Sequence, residues 1–391
     1  MHGRAPCAII PVRPDRPGAA HPVLDPPTIP PSPCGGVCSI APPDLLAHLA
    51  AEGTAAQRAA ALHALSASAA LGARRALITE LLRDPRYREL ALEMAAPPGP
   101  ARRSVYDAEH KGQSSLPGTL VRADGDPPSG DDAVDEAYDG AGSTYDFYER
   151  VFGRNSIDGA GLEIVSTVHF SRAYDNAFWN GSQMVYGDGS GTIFAVGALT
   201  KAIDVIGHEL THGVTQYTAG LVYHGQPGAL NESFSDVFGS LLKQWTLGQT
   251  AEQADWLIGA GTLVPEVGPA LRSMRAPGTA YPGDRQPAHM DDYRNLPDDD
   301  KPTNDNGGVH LNSGIPNHAF YLAATAIGGN AWEQAGHIWY TTLTERLQPE
   351  SDFVAAANAT VAVASELFGA AAHDAVRSGW EQVGVLTASA S

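Results

Sequence analysis

Two histidines and a glutamate in the segment DVIGHELTHGVTQY, residues 204–217, have the types and spacing of a metal-centred hydrolytic site. His208 and His212 are four residues apart, so on a helix both imidazoles leave the same face with their Cβ atoms about 6 Å apart. Two imidazoles in that arrangement suit one tetrahedral Zn²⁺ ion. Glu209 lies about 100° further round the helix. Its carboxylate cannot easily join them as a ligand, but it can reach a metal-bound water as a general base.

The segment GALNESFSDVFGSLL, which begins at residue 228, predicts a second helix that carries the third metal ligand. Glu232 is the candidate ligand. Asp236 lies four residues further on and shares its side of the helix, so its carboxylate can accept the second ring N–H of a histidine ligand, and Asn231 could serve the other histidine. Two hydrogen-bonded core histidines are the structural alternative. The polar run N-E-x-x-x-D on an apolar helix favours the metal site.

A further pair of candidate residues lies far downstream, in TNDNGGVHLNSGIPNHAFY, which begins at residue 303. Asp305 precedes His310 across a Gly-Gly turn, and a carboxylate oriented on an imidazole raises its pKa and keeps it a hydrogen-bond donor. A donor outside the metal ligands is what a tetrahedral oxyanion needs. An exposed histidine beside an aspartate usually has no catalytic role, so this pair gains its meaning from the upstream set.

The charge of the chain excludes two classes of partner. The 391 residues include 25 Lys and Arg and 44 Asp and Glu, for a formal net charge of −19. This sign is wrong for a protein that neutralises nucleic-acid phosphate or docks on an anionic membrane. The excess is uneven, since residues 1–103 hold 11 bases and 8 acids whereas residues 104–391 hold 14 and 36. We therefore expect an acidic catalytic part behind a mildly basic N-terminal part, with no nucleic-acid or membrane partner.

The N-terminal residues predict neither a membrane-spanning helix nor a Sec signal peptide. No apolar run approaches about 18 residues, and the first apolar stretch is about five residues long and ends at Pro11. We expect either export by a non-classical route or a cytoplasmic location. Cys7, Cys34 and Cys38 predict no disulfide framework, although Cys34 and Cys38 could pair locally. A monomer is the default expectation.

Composition divides the chain into an N-terminal extension and a catalytic part. Residues 1–38 are rich in proline and predict a disordered arm. Residues 39–94 are rich in Ala, Leu and Arg at helical spacing and predict two or three short helices, punctuated by Gly53 and Gly72. The Pro/Gly run in residues 95–104 predicts a cleavable linker.

Beyond the linker the pattern predicts an α+β protein. We expect a β-rich lobe over 105–200, a metal-binding helix over 201–218 and a helical lobe over 219–391. The β-branched run 162–170 predicts a strand, and 180–196 predicts a hairpin closed by a Gly/Asp turn. The clearest predicted helices are 142–153, 201–218, 231–247, 313–327, 331–346 and 350–368.

Five sequence blocks make the chain resemble the thermolysin-like zinc metallopeptidases. In order they are YDNAFWNGSQMVYGDG, DVIGHELTHGVTQYTAGLVY, GALNESFSDVFG, ALRSM and DNGGVHLNSGIPNHAFY, and the resemblance covers about 290 residues. It implies a two-lobed fold with a β-rich N-terminal lobe, a central zinc helix and a mostly α-helical C-terminal lobe. The segment CSIAPPDLLAHLA, from residue 38, resembles the protealysin-like subgroup, which implies a short helical propeptide before the catalytic lobes.

The resemblance implies a role for each matching residue in the hydrolysis of a peptide bond. The zinc ligands are His208, His212 and Glu232, with Glu209 as the base that activates water. The oxyanion receives hydrogen bonds from Tyr223 and His310, and Asp305 orients His310. Substrate is held by Asn176, Ala177, Trp179 and Arg272. The primed-side pocket is lined by Val196, Leu199, Val205 and Leu271, and its apolar lining implies cleavage on the amino side of bulky hydrophobic residues.

The chain departs from the family at a double calcium site. The resemblance places acids on both sides of the zinc helix, and Asp204 and Asp255 keep those carboxylates. Lys243, Leu257 and Ala260 stand where the other ligands would be. Because Ca²⁺ takes about six to eight oxygen ligands, we expect this site to be lost and Lys243 to pair with both acids. Calcium elsewhere stays open.

The propeptide is expected to act as an intramolecular inhibitor. Pro42, Pro43, Asp44 and Leu45 form a stretch that its prolines hold extended, and in related zymogens such a segment lies in the cleft. A helix that begins with proline is the structural reading, and it is compatible with this one. We expect residues 39–46 to occlude the zinc cleft until the linker is cut.

Two other functions fit part of the sequence. A zinc aminopeptidase also uses two histidines and a glutamate, but its glutamate is typically one residue closer and an acidic motif binds the free amine. A catalytically retired peptide-binding protein is expected to lose Glu209 or a zinc ligand. Since every such residue is present, the leading prediction is a zinc endopeptidase made as a zymogen that acts on peptide or protein substrates.

Overall fold

The structure is a computed structural model that describes residues 38–82, 102–297 and 304–387. The predicted disordered arm, except for Cys38, and the predicted linker up to residue 101 therefore lie outside the described residues. Within those three ranges, no helix is both long and apolar enough to cross a membrane.

The N-terminal lobe is built on a mixed sheet to which six of the described strands belong. In chain order these are β1 (Cys38–Ser39), β2 (Arg103–Asp107), β3 (Thr119–Ala123), β4 (Ile164–Val168), β5 (Ala177–Trp179) and β6 (Met184–Tyr186). Their spatial order is β1-β5-β6-β4-β2-β3. The neighbours β2, β4 and β6 are parallel, and the other pairs are antiparallel. The N-terminal extension thus supplies one edge strand of the catalytic sheet.

Two boundaries of the N-terminal extension differ from the prediction. Cys38, which was assigned to the arm, is buried in β1, and Arg103, which was assigned to the linker, begins β2. Both residues pair with strands that are distant in sequence, and composition does not record such pairings. The N-terminal extension therefore joins the sheet at Cys38, and the catalytic part of the chain enters it at Arg103, two residues earlier than expected.

The extension continues as two helices, α1 (Pro43–Glu52) and α2 (Ala55–Leu82). Gly53 ends α1, and a Cβ there would lie 2.5 Å from the carbonyl oxygen of Leu49. The predicted break at Gly72 is wrong, because α2 runs through it. One glycine costs a helix only about 1 kcal/mol relative to alanine, and the strong helix formers on both sides offset it.

Helix α3 (Asp132–Phe152) is longer than the predicted 142–153. The side chain of Asp131 accepts hydrogen bonds from the amides of Ala133 and Val134 and caps the helix. The prediction missed residues 132–141 because they carry four acidic residues and a glycine. Their buried face becomes visible only where it packs against the sheet.

The hairpin predicted over 180–196 is wrong: the hairpin that forms consists of β5 and β6, over residues 177–186. Strands β5 and β6 are joined by residues 180–183, where Asn180 Oδ1 accepts the amides of Ser182 at 3.0 Å and Gln183 at 2.9 Å. This side-chain bond mimics a backbone turn. The Gly/Asp-rich residues 187–191, where the turn was expected, follow β6 as a loop.

Helices α5 (Ile203–Gln216) and α6 (Gly225–Leu247) hold the predicted metal ligands, and they cross at two glycines. A Cβ on Gly207 would lie 3.2 Å from the Cα of Gly239, and a Cβ on Gly239 would collide with the backbone oxygen of Asp204. Only residues without a side chain permit this approach. The close crossing brings the polar faces of the two helices together.

The remaining elements complete a helical C-terminal lobe, and the predicted α+β class is confirmed. Helices predicted at 313–327, 331–346 and 350–368 are found within a few residues of those bounds, whereas the final helix was not predicted. In chain order these elements are α4 (Ala198–Lys201), β7 (Leu257–Ile258), β8 (Arg272–Ser273), α7 (Asp305–Asn312), α8 (Gly314–Ile327), α9 (Gln334–Glu345), α10 (Phe353–Phe368) and α11 (Ala370–Gln382).

Lys243 on α6 pairs with both Asp204 and Asp255, as expected from the sequence. Its Nζ lies 3.0 Å from Asp204 Oδ2, 2.9 Å from Asp255 Oδ1 and 2.6 Å from the carbonyl oxygen of Leu257. Burial alone would lower the pKa of Lys243, but the two carboxylates raise it. The ammonium is therefore held as a cation between α5, α6 and the segment around β7.

We predict that Lys243→Met lowers the free energy of unfolding by about 3 kcal/mol, because the buried Asp204 carboxylate loses its cation. Lys201→Met is the matched control. Lys201 is exposed and its Nζ lies 3.8 Å from Glu136, so its loss should change stability by less than about 0.5 kcal/mol. Urea unfolding of both variants measures the difference, and equal losses would contradict the prediction.

Candidate active site

The three predicted metal ligands meet at one buried point. His208 Nε2 lies 3.1 Å from His212 Nε2 and 3.5 Å from Glu232 Oε2. His212 Nε2 lies 3.4 Å from Glu232 Oε1, and all three side chains are buried. Helix α5 presents both imidazoles on one face, and α6 brings the carboxylate across the glycine crossing.

The hydrogen bonds of the two rings indicate that a cation fits between them. His208 Nδ1 lies 2.8 Å from Asp236 Oδ1, and His212 Nδ1 lies 2.8 Å from Asn231 Oδ1. Because both partners are acceptors, each Nδ1 carries the ring proton and both Nε2 lone pairs face each other. Glu232 Oε2 is buried without a hydrogen-bond partner. Two imidazoles and one carboxylate around a common point match the protein ligands of a catalytic zinc ion.

The buried carboxylate of Asp236 contacts His208 on the side of the ring that faces away from the other ligands, and so fixes the ring's orientation. Asp236 accepts hydrogen bonds from Arg272 Nε and Nη2, each at 2.8 Å, and from Asn317 Nδ2 at 2.8 Å. Burial alone would raise the pKa of Asp236, but Arg272 and His208 hold it well below its usual value. Burial also lowers the pKa of His208 to about 4, which keeps the ring neutral and its Nε2 available to a metal.

Glu209 has the surroundings of a general base. Its Oε2 accepts the backbone amide of Trp179 at 2.9 Å, whereas its Oε1 is buried without a partner. Burial raises the pKa of Glu209 well above its usual value, and the negative charge of Glu232 raises it further. A cation bound to Glu232 would cancel the effect of the Glu232 charge on the pKa of Glu209. The effect of burial would remain, and it makes Glu209 a stronger proton acceptor.

Tyr223 and His310 lie side by side next to the metal ligands. The Tyr223 hydroxyl donates to Glu232 Oε1 and lies 3.3 Å from His310 Nε2. Asp305 Oδ1 lies 2.5 Å from His310 Nδ1, and Oδ2 accepts the His310 amide at 2.8 Å. Burial alone would lower the pKa of His310, yet the charges of Glu232 and Asp305 raise it to about 10.

The start of α7 lets Asp305 bond both the ring and the amide of His310. Residues 305–308 all have positive φ, between 48° and 84°. This run reverses the chain within one turn, and Gly307 and Gly308 adopt it without steric cost. The Gly-Gly pair in the sequence was the signal for this turn.

The residues expected to hold a substrate backbone instead contact the N-terminal extension. Strand β1 pairs with β5, with Cys38 opposite Trp179. The Ile40 amide donates to the carbonyl of Ala177 at 3.0 Å, and the Ala41 amide donates to Asn176 Oδ1 at 2.9 Å. Residues 38–41 thus run antiparallel to the sheet edge of the cleft.

Two carbonyl oxygens of the same segment point at polar groups of the site. His310 Nε2 lies 2.9 Å from the carbonyl oxygen of Ser39, and Arg272 Nη1 donates to that of Ile40 at 3.1 Å. Residues 38–41 therefore take contacts that the sequence reading had centred on Pro42, Pro43, Asp44 and Leu45. Pro42 instead caps α1 and Pro43 begins it, while Asp44 and Leu45 are buried on that helix.

Asp44 is an acid buried in the interface between α1 and the catalytic lobe. Its Oδ2 accepts a hydrogen bond from the Tyr281 hydroxyl at 3.4 Å and lies 3.9 Å from Arg285 Nε. Burial, reinforced by the charge of Asp305, raises the pKa of Asp44 to about 6. Its negative form is therefore poorly stabilised where it lies.

Three of the four predicted pocket residues are buried. Leu199, Val205 and Leu271 are fully buried and belong to the same apolar cluster as Ile40. Val196 differs from the prediction, because 70% of it is exposed and it lies outside that cluster. Its backbone turns it to solvent just before Gly197, which has a left-handed φ of 71°.

Sequence reasoning missed several residues that shape the site. Asn317 bonds Asp236, Tyr281 bonds Asp44, and Gln216 Oε1 accepts the indole N–H of Trp179 at 3.2 Å. Cys38 packs against Tyr223 and Val309. Apart from their positions in or near the family-like blocks, these residues carry no local signal, since their partners lie far away in the chain.

We predict that Asp236→Asn weakens zinc binding about 10- to 100-fold, because the amide carries no negative charge and its NH₂ group would face the donors Arg272 Nε and Asn317 Nδ2 in place of an acceptor oxygen. Zinc retention against a graded chelator, read by elemental analysis, measures this. Ser240→Ala is the control, since Ser240 lies one turn further along α6, is equally buried and bonds only Gln244 among the described contacts. Unchanged zinc retention in Asp236→Asn would rule out the role given to this carboxylate.

Comparison with known proteins agrees with this geometry. The family description thermolysin metallopeptidase, catalytic domain, matches residues 94–216, and thermolysin metallopeptidase, alpha-helical domain, matches residues 219–385. The extracellular metalloprotease of Pectobacterium carotovorum subsp. carotovorum is 50% identical over 356 residues, which cover 89% of this chain and 96% of that protein. Neutral protease NprE of Bacillus pumilus is 44% identical over 283 residues, covering 72% of this chain and 87% of that protein.

A solved structure is similar along nearly the whole chain. The precursor of protealysin, a metalloproteinase from Serratia proteamaculans, has 48% sequence identity and a TM-score of 0.77. The match covers 89% of this chain and all of that one. The two family domains, the buried His-His-Glu set and the overall architecture agree: the chain belongs to the thermolysin metallopeptidase family.

Proposed function

We propose that this protein is the inactive precursor of a zinc-dependent neutral endopeptidase, inhibited by its own residues 38–52. The path of residues 38–41 beside the zinc ligands carries the proposal. They add a strand to β5 and direct two carbonyl oxygens at polar groups, as a bound peptide would. The precursor is therefore held by a segment that imitates substrate.

The zinc ligands would be His208, His212 and Glu232. Zn²⁺ bound there would supply a Lewis acid for the scissile carbonyl and lower the pKa of a water molecule. Glu209 would accept the proton that the attacking water releases and pass it to the leaving amine. The Trp179 amide keeps the Glu209 carboxylate in place for both transfers.

Tyr223 and His310 would donate hydrogen bonds to the carbonyl oxygen as it becomes negative. The 2.9 Å contact between His310 Nε2 and the Ser39 carbonyl supports this role, since the ring already reaches a main-chain oxygen. Asp305 fixes the ring by bonding Nδ1, so the proton on Nε2 points into the cleft.

Endopeptidase activity is favoured over aminopeptidase activity by the same segment. Cys38 pairs with Trp179 upstream of the Ser39 carbonyl that His310 contacts, and the chain continues through Ile40 and Ala41 beyond it, so a peptide along β5 can continue on both sides of the zinc ligands. The fully buried Ile40, whose carbonyl is held by Arg272, suggests the preferred side chain. We infer cleavage on the amino side of bulky hydrophobic residues, with Leu199, Val205 and Leu271 as the apolar lining.

Three further properties complete the proposal. Lys243 substitutes for calcium between Asp204 and Asp255, since its ammonium already neutralises both carboxylates. The enzyme acts outside the cell, on the precedent of the Pectobacterium relative, which is named an extracellular metalloprotease. A monomer is the third proposed property. Calcium content, cell fractionation and light scattering would each test one of these properties.

We predict that Glu209→Gln lowers kcat at least about 1000-fold while zinc content is unchanged, because the amide cannot accept a proton. The assay uses an N-acetylated fluorogenic peptide with Leu after the scissile bond, after tryptic cleavage of the linker. Glu149→Gln, an exposed change on α3, is the control.

The same assay with a second peptide, identical but with a free N-terminal amine, separates the candidate functions. An aminopeptidase would cleave only the peptide with the free amine, and a peptide-binding protein would bind both peptides without cleaving them. Turnover by Glu209→Gln at the parent rate would sink the proposed mechanism.

We predict that docking of residues 38–52 weakens as pH rises through about 6. Asp44 has a pKa raised from its ordinary value of 3.8 to about 6 when docked, so docking is strongest below about pH 4, weakens progressively as pH rises from about 4 to about 6, and changes little above that. The Ile40 amide, which donates to Ala177, reports the opening by hydrogen exchange after correction for intrinsic rates. Between pH 4 and 8 its open fraction should rise about a hundredfold.

Asp44→Asn should remove most of that dependence, because asparagine carries no charge at any of these pH values. Glu52→Gln is the control, since Glu52 lies exposed at the end of the same helix. Both proteins also carry Glu209→Gln to prevent self-processing. A pH dependence that persists in Asp44→Asn would assign the effect to another group.

A further inference from the structure

Three polar side chains outside the cleft converge where parallel strands end. Strands β2, β4 and β6 are parallel neighbours, so their carboxyl ends lie at one edge of the sheet. His110 lies three residues beyond β2, His169 directly follows β4, and Asp188 lies two residues beyond β6. Ligands of open sheets bind at this kind of edge, because the loops that follow parallel strands meet there.

The Asp188 carboxylate lies between the two imidazoles. Its Oδ1 is 2.8 Å from His169 Nδ1, and its Oδ2 is 3.2 Å from His110 Nδ1. One possible ligand atom from each residue lies within 4.8 Å of the other two. The His110 side chain is 43% exposed and that of His169 is 19% exposed, so water can reach the remaining coordination positions.

The two histidine-bearing loops are joined by their backbones. The amide of His110 donates to the carbonyl of His169 at 2.9 Å, and Ser171 donates to the carbonyl of Lys111 at 3.0 Å. The positions of the two rings are therefore set by the sheet and by these bonds. A site held in this way needs little rearrangement to bind an ion.

A second carboxylate completes the arrangement behind His169. Asp131 Oδ2 lies 3.1 Å from His169 Nε2, the ring nitrogen that faces away from Asp188. The other oxygen of Asp131 accepts the amides of Ala133 and Val134 and is fixed as the cap of α3. Metal-bound histidines usually donate their second ring N–H to such a carboxylate.

We propose that His110, His169 and Asp188 bind a divalent transition-metal ion such as Zn²⁺, in addition to the ion at the catalytic site. Two imidazoles and one carboxylate suit Zn²⁺ and related ions, whereas Ca²⁺ requires an oxygen-rich site. The ion ties together the loops after β2, β4 and β6. It therefore stabilises the β-rich lobe by binding the folded state alone.

The metal-free protein holds a proton at this position. The hydrogen bond to Asp188 outweighs burial and raises the pKa of His169 to about 9. An ion that binds Nδ1 displaces that proton to solvent. Calorimetry in buffers of different ionisation enthalpy detects a proton released on binding.

The test is Zn²⁺ binding by the full chain with its catalytic zinc already in place. Equilibrium dialysis against graded free Zn²⁺, followed by elemental analysis, should give a second equivalent of zinc per protein. His110→Ala should weaken that second equivalent at least about tenfold and retain the first. His373→Ala is the matched control, because His373 lies 2.8 Å from Asp374 in a surface pair that belongs to no three-ligand group among the described residues.

A second variant separates metal binding from a purely structural role. Asp131→Asn keeps a residue that caps helices equally well but removes the carboxylate from His169, and it should weaken the second equivalent about tenfold. Added Zn²⁺ should raise Tm in the parent and in His373→Ala but not in His110→Ala. One zinc per protein at all concentrations, or equal binding by His110→Ala and His373→Ala, would overturn the proposal.

Discussion

The active site depends above all on one buried charge, the carboxylate of Asp236. It is completely shielded from solvent, where an unpaired carboxylate would cost several kcal/mol. Its partners come from three parts of the chain: a zinc ligand on α5, the guanidinium of Arg272 on β8 and an amide on α8. Satisfying this charge therefore fixes the position of His208 and joins the helical lobe to the zinc helix.

The same charge links the catalytic machinery to its inhibition. Arg272, held by Asp236 through two nitrogens, has one more nitrogen for the carbonyl of Ile40. Under the proposed function, a substrate that lies along β5 would meet the same guanidinium. The N-terminal extension would then inhibit the enzyme at this point by occupying the residue that we propose binds substrate.

The extension is held by more than its substrate-like strand. Ser68 on α2 lies 3.1 Å from the Tyr174 hydroxyl and 3.4 Å from Asn176 Nδ2, and α1 buries Leu45, Leu46 and Leu49. The proposed cleavage in the linker would leave all these contacts intact. Release would then be an equilibrium between docked and free extension, to which the basic extension and the acidic catalytic part would contribute an attraction that salt weakens.

The sequence by itself determined the features that depend on regular local geometry. The i, i+4 spacing of His208 and His212 places both rings on one helix face, and Glu232 and Asp236 follow the same rule on α6, because a helix repeats every 3.6 residues wherever it forms. The family-like blocks added Tyr223, His310 and Arg272 to the predicted site. The sequence also predicted that residues 39–46 lie in the cleft, but not which of their atoms these side chains contact.

Only the tertiary structure decided the contacts between distant segments. Arg272 meets Ile40 across 232 positions and His310 meets Ser39 across 271, while Cys38 and Arg103 become strand residues through partners that composition cannot indicate. The convergence of His110, His169 and Asp188 depends on the order of parallel strands. Such contacts follow from sheet register and from the Gly207–Gly239 crossing, and these are set by packing over the whole chain and not by any local spacing.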